Sequence, residues 1–252
     1  MVYRDFFIYT TNYWDFDTGF KITQEIIDVV GNSINGYNFN RYGRYGEGSP
    51  RERADPREHI TVRLDFDNKE DIQKVEDKLE EMKKQGIIDD WCQEEDNPYN
   101  ILPMREYPTT YHTAHETSTA CAFEFHRKSR ESPSKFRNLN QDKVRYLSDF
   151  FLLWLKNVGF KLLNNITIST SDFIQKLAKD CASVFMNTVD KSRISDKQLF
   201  TDRLLHLFLN CICISREEPQ IIVSIGSRLG LVVNNRDSYD AFCKTLGKSF
   251  DC

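Results

Sequence analysis

Arg203, His206 and Asn210 interrupt an otherwise apolar stretch, lying at spacings of three and four among Leu199, Leu204, Leu205, Phe208, Leu209 and Ile212. On a helix that spacing sends all three from one side. An imidazole titrating near neutrality moves protons, a guanidinium grips a carboxylate or phosphate, and an amide orients either one. A helix this apolar is not a surface helix, so its polar line is expected to look into a cleft.

A second concentration of chemistry is the arginine run Arg41, Arg44, Arg51, Arg53, Arg57 and Arg63. Arginines gather this way where an anion is held in planar, bidentate fashion. Arg51, Arg53 and Arg57 alternate with Glu52, Asp55 and Glu58 and read as a solvated, internally paired loop. Arg63 differs, because it falls inside a strand and its stem must cross a sheet face. The run also admits a non-catalytic module that binds an acidic peptide or nucleic acid.

Histidines supply two rival readings. His59-Ile60-Thr61-Val62 resembles the His-apolar-Thr-apolar motif of two-histidine RNA phosphoesterases, which need a second copy. The second candidate, His115-Glu116-Thr117-Ser118, carries polar residues where that motif has apolar ones. His112, His115 and His126 with Glu116 and Glu124 offer metal-binding types, but no fourth ligand follows at a zinc-site interval, so no metal is assigned. Cys211 and Cys213 would diverge by about 200° on a helix and read, like the other five cysteines, as reduced thiols.

Regular elements must position these groups. Tyr3 to Thr11 alternates as a strand, and a helix is expected at about Lys21 to Val30, stopped by Gly31. A strand with a long exposed loop is expected from Asn32 to Pro56. His59 to Phe66 is the clearest strand, with Ile60, Val62, Leu64 and Phe66 on one face and His59, Thr61, Arg63 and Asp65 on the other. Asn68 is expected to cap a helix from Lys69 to Gln85, and Ile87 to Gln93 returns as a strand. This order is the ferredoxin-like split βαβ pattern.

Three prolines between Asn97 and Pro108 mark a linker, so the expected fold is α+β: a ferredoxin-like antiparallel sheet lobe over 1–108, packed on a mainly helical lobe over 109–252. Helices are expected at Tyr111 to Lys128, at Val144 to Val158 as the central buried helix, and at about 171–187, 196–213 (capped by Ser195) and 237–247. A polar connection spans 129–143.

With 252 residues and 40% hydrophobic side chains the chain can bury a real core. Acidic and basic residues nearly balance, 38 against 34, so no global positive field draws it to nucleic acid or an anionic membrane. No apolar run reaches membrane-helix length and the N-terminal residues lack signal-peptide zones, so a cytoplasmic protein is expected.

Taken in order, these stretches resemble the elimination-domain family of lantibiotic dehydratases, also known as the thiopeptide-type bacteriocin biosynthesis domain. The matching residues are Arg41-Tyr42 or Arg44-Tyr45, His59-Ile-Thr-Val-Arg63-Leu64, Ile87 to Trp91, and His206-Leu-Phe-Leu-Asn210. Thr61 and Cys211 stand where the family has arginines. The resemblance implies a peptide-modifying lyase in ribosomal peptide natural product biosynthesis. It would eliminate glutamate from glutamylated Ser or Thr to give dehydroamino acids, or perform the related cycloaddition of thiopeptide assembly. It implies a precursor peptide as partner, a separate glutamylating dehydratase subunit and no cofactor. His206 would be the acid or base, with Arg63 and either Arg44 or Arg41 stabilising negative charge, and with His59, Arg203 and Asn210 contacting or orienting substrate. These groups are expected to line one cavity between the lobes.

Overall fold

The computed structural model describes residues 2–13, 15–42, 58–95, 106–133, 142–212 and 217–251. The fold is α+β, divided into two compact units, Met1–Asn100 and Ile101–Cys252. The boundary falls inside the proline-interrupted stretch, earlier than the expected 108. Among the described residues no helix is long and apolar enough to cross a membrane.

The first unit runs β1 (Val2–Tyr9), α1 (Phe16–Val30), β2 (Ile34–Tyr42), β3 (His59–Phe66), α2 (Glu70–Lys84) and β4 (Asp90–Glu95). The sheet order is β2-β3-β1-β4, and every neighbouring pair is antiparallel. This is the ferredoxin-like arrangement, with each βαβ half split by a strand of the other.

Register sorts the side chains. Phe6 lies opposite Val62 and Gln93, and Val62 lies opposite Phe39, so these residues share the sheet face that the helices cover. Trp91 and Gln93 on this face reach α2, donating to Glu80 at 2.8 Å and Glu76 at 2.5 Å. Phe6, Ile8, Ile60, Val62 and Leu64 are wholly buried, each contributing roughly 1.5–3 kcal/mol. The other face carries His59, Thr61, Arg63 and Asp65, yet all eight residues of β3 are buried.

Helix α1 begins five residues before the expected Lys21, because Asp15 caps it by accepting from Asp17 N and Thr18 N at 3.0 Å. It stops at Gly31, whose φ of 54° suits glycine. The expected Asn68 side-chain cap does not form. Lys69 is the capping position, and the Asn68 carbonyl accepts from Asp71 N at 3.3 Å. The last strand starts at Asp90 rather than Ile87.

Arg41 holds α1 to the sheet. Its guanidinium is 1% exposed, donates to Tyr13 O at 3.0 Å and Asp15 O at 3.3 Å, and lies over the rings of Phe20 and Phe39. Gly19 makes room for it, since a Cβ there would lie 2.7 Å from Arg41 Cζ.

The second unit is helical: α3 (Pro108–Glu131), α4 (Lys143–Asn157), α5 (Asp172–Thr188), α6 (Lys197–Cys211), α7 (Glu218–Arg228) and α8 (Arg236–Lys248). Helix α3 packs on α5 and α6, α4 packs on α5 and α7, and α8 packs on α6. As the pattern predicts, α4 is buried nearly all round, from Leu147 to Leu155. The α6 cap is Asp196, which accepts from Leu199 N at 2.9 Å, while Ser195 exchanges hydrogen bonds with Thr110.

Helix α7 has no counterpart among the expected elements. Ile221, Ile222 and Ile225 are its buried side chains, and Asp149 in α4, 2% exposed, pairs with its last residue, Arg228. Phe250 closes this unit, stacking on Phe160 at 4.7 Å and Phe200 at 5.5 Å, while its carbonyl accepts from Lys197 Nζ at 2.9 Å.

A methyl group at position 19 must displace a guanidinium held by carbonyls and two rings. Gly19→Ala is therefore expected to destabilise the fold by about 1–3 kcal/mol. Urea unfolding checks this, with a lower midpoint and an unchanged slope expected.

Candidate functional site

Helix α6 carries the expected polar line on one side, and the structure adds one member, Asp202, and the partners Glu218 and Tyr239. Asp202, Arg203, His206 and Asn210 share one side by helical spacing. The opposite side holds Phe208, whose ring lies 5.0 to 5.8 Å from those of Trp154, Phe151, Phe150 and Phe125. That packing fixes the rotation of α6 about its axis.

His206 Nδ1 lies 2.8 Å from Glu218 Oε2 and 3.1 Å from Oε1. A carboxylate only accepts, so Nδ1 carries the hydrogen and, in the neutral ring, Nε2 keeps its lone pair. The imidazole is 34% exposed and Glu218 16%, so the ring is reachable while its partner is shielded. The carboxylate fixes the tautomer and leaves Nε2 as the acceptor, an arrangement that general-base chemistry can use.

One turn earlier, Asp202 accepts from Tyr239 OH at 2.7 Å and pairs through Oδ2 with Arg203 Nε at 3.2 Å. Burial, and then the charge of Asp202, push the Tyr239 phenol far above its usual value, so it remains a donor. Cys243, one turn beyond Tyr239, is pushed up to about 12, first by burial and then by Asp202, which makes it no nucleophile at neutral pH.

The first-unit candidates occupy other settings. Arg63 forms a two-point pair with Asp5 across the β1–β3 register, with Nε to Oδ1 and Nη2 to Oδ2 both at 2.5 Å. Asn38 faces it from β2. His59, 2% exposed, packs its ring against Phe7 at 4.9 Å and Tyr9 at 5.8 Å. Arg41 faces the helices and donates its guanidinium to the carbonyls of Tyr13 and Asp15. Arg44, Arg51, Arg53 and Arg57 lie outside the described residues. Arg63 belongs to the first unit and His206 to the second.

His112 and His115 are buried on α3, His115 with its ring 3.9 Å from that of Tyr111. Among the described residues no three His, Cys, Asp or Glu converge to hold a metal. Cys211 is buried and unbridged, and Cys213 lies outside the described residues.

No family model and no curated protein matches the chain. Sequence reasoning missed Glu218, Asp202 and Tyr239. Asp202 was within reach, lying four residues before His206, whereas Glu218 sits on the helix that the pattern did not reveal.

The paired state of Arg63 yields a stability test. Arg63→Ala and Asp5→Ala each break a largely buried two-point ion pair, and each is expected to cost about 2–4 kcal/mol. The double variant is expected to cost less than the sum. A double-mutant cycle by urea denaturation measures that coupling.

Proposed function

We propose that the chain is a peptide-modifying lyase that eliminates glutamate from glutamylated Ser or Thr residues of a precursor peptide. The observation that carries this reading is the pairing of a reachable imidazole, His206, with the shielded carboxylate of Glu218. The resemblance of the chain to the elimination domains of lantibiotic dehydratases supports it, as does the ferredoxin-like order of the first unit.

In the proposed reaction His206 Nε2 takes the α-proton of the modified residue. The electrons of the Cα–H bond form the Cα=Cβ double bond, the Cβ–O bond breaks, and glutamate leaves as its carboxylate. Glu218 holds the resulting imidazolium until its proton returns to solvent. Negative charge develops on the substrate carbonyl as the proton departs, so a cation near the imidazole lowers the barrier. The glutamyl group is supplied by a separate glutamylating partner.

His206→Ala is expected to lower dehydration of a co-expressed, glutamylated precursor peptide by about 10²–10⁴-fold, and Glu218→Gln by a smaller factor, on the order of tenfold. Mass spectrometry of the peptide reads the outcome, and circular dichroism confirms that both variants fold. Undiminished dehydration in both would overturn the assignment.

A further inference from the structure

Asp149 belongs to α4, the helix buried nearly all round, and only 2% of its side chain is exposed. A carboxylate so enclosed needs a partner that meets its charge. Among the described residues that partner is Arg228, the last residue of α7. The pair ties one end of α7 to the interior of the helical unit. The other end of the same helix begins at Glu218, the carboxylate that holds His206.

We infer that Asp149 and Arg228 are positioning residues for His206: by fixing the far end of α7 they set where Glu218 meets the imidazole. They thereby decide which ring nitrogen is left as the acceptor. The inference concerns the same site as the lyase reading and rests on it only for the effect on turnover.

The geometry of α7 makes such a linkage effective. Its eleven residues form a rod about 16 Å long, with Ile221, Ile222 and Ile225 buried between the two ends. Glu218 stands at the first helical position, where no side-chain cap forms, and among the described residues its hydrogen-bond partner is His206. The rod therefore places this carboxylate. The Arg228 end is stiff by contrast, because Leu231 N turns back to donate to Gly226 O at 2.8 Å and Gly230 takes a φ of 69°. Apolar contact of three isoleucines resists separation of α7 but is non-directional, so it defines the tilt of the helix less sharply than a charged pair at its end. A tilt of about 10° about the middle moves each end by roughly 1.4 Å. That is enough to carry a 2.8 Å bond beyond hydrogen-bond distance.

The test reads the tautomer of His206 in the full chain, by nitrogen NMR of isotope-labelled histidine at a pH where the ring is neutral, with His206→Gln identifying its signals. The wild-type ring is expected to hold its hydrogen on Nδ1, and Glu218→Ala is expected to move it to a mixture set by solvent. Asp149→Asn and Arg228→Gln are each expected to reproduce at least about half of that shift, and Arg228→Lys to restore part of it. Adding Asp149→Asn to Glu218→Ala is expected to change nothing further. Phe250→Leu, which loosens the core at Phe160, Phe185 and Phe200 instead, is expected to leave the signal in place. Circular dichroism confirms folding, and should Asp149→Asn fail to fold, the two substitutions at Arg228, 37% exposed, carry the test. A wild-type tautomer in Arg228→Gln, or an equal shift in Phe250→Leu, would overturn the inference. Dehydration of the glutamylated peptide is expected to fall in Arg228→Gln by on the order of tenfold, as in Glu218→Gln. The ring measurement needs no turnover, so a shifted tautomer in a chain that dehydrates no peptide keeps the positioning pair and loses the lyase.

Discussion

Phe208 makes the geometry of the helical unit possible. Its ring meets those of Phe125, Phe150, Phe151 and Trp154, from α3 and α4. Burying such a ring is worth roughly 1.5–3 kcal/mol, and each well-placed aromatic pair adds about 0.5–1.5 kcal/mol. Turning α6 by one residue would move Phe208 out of this nest and bring Asp202 or Arg203 toward it. The aromatic packing thus specifies where an imidazole on the far side of the same helix points.

The two units treat buried polar side chains differently. In the sheet unit they complete the internal structure: Arg41 satisfies carbonyls that lead into α1, and Arg63 closes on Asp5 across a strand pair. In the helical unit the shielded carboxylate of Glu218 pairs with His206, whose ring keeps a reachable end. Buried Thr113 and Ser118, by contrast, return their hydroxyls to the backbone carbonyls of Thr109 and Leu204. A reachable end is what distinguishes a group that can meet substrate from one that only holds the fold.

The order of elements was legible because periods of two and 3.6 are written into β3, α2 and α6. Helix α7 was not, because Ile221, Ile222 and Val223 form a β-branched run that resembles a strand, and Gly226 breaks the pattern. That glycine answers a packing demand, since Val233 Cγ2 would lie 2.7 Å from a Cβ there. Losing α7 hid Glu218. The partner of Arg63 was hidden for another reason: it depends on which residue of β1 the register sets opposite, and alternation assigns a face without assigning a neighbour. Arg203, His206 and Asn210 were visible because local spacing alone puts them on one side.

The bridge between Phe160 and Phe250 bears on the order of events during synthesis. Phe250 fills a slot among Phe160, Phe185 and Phe200, so the aromatic interior of the helical unit is incomplete until residue 250 has been made. The sheet unit, finished by β4, has no such wait and can fold while the rest of the chain is still emerging. A nascent chain halted before residue 250 would carry α4, α5 and α6 with that slot exposed.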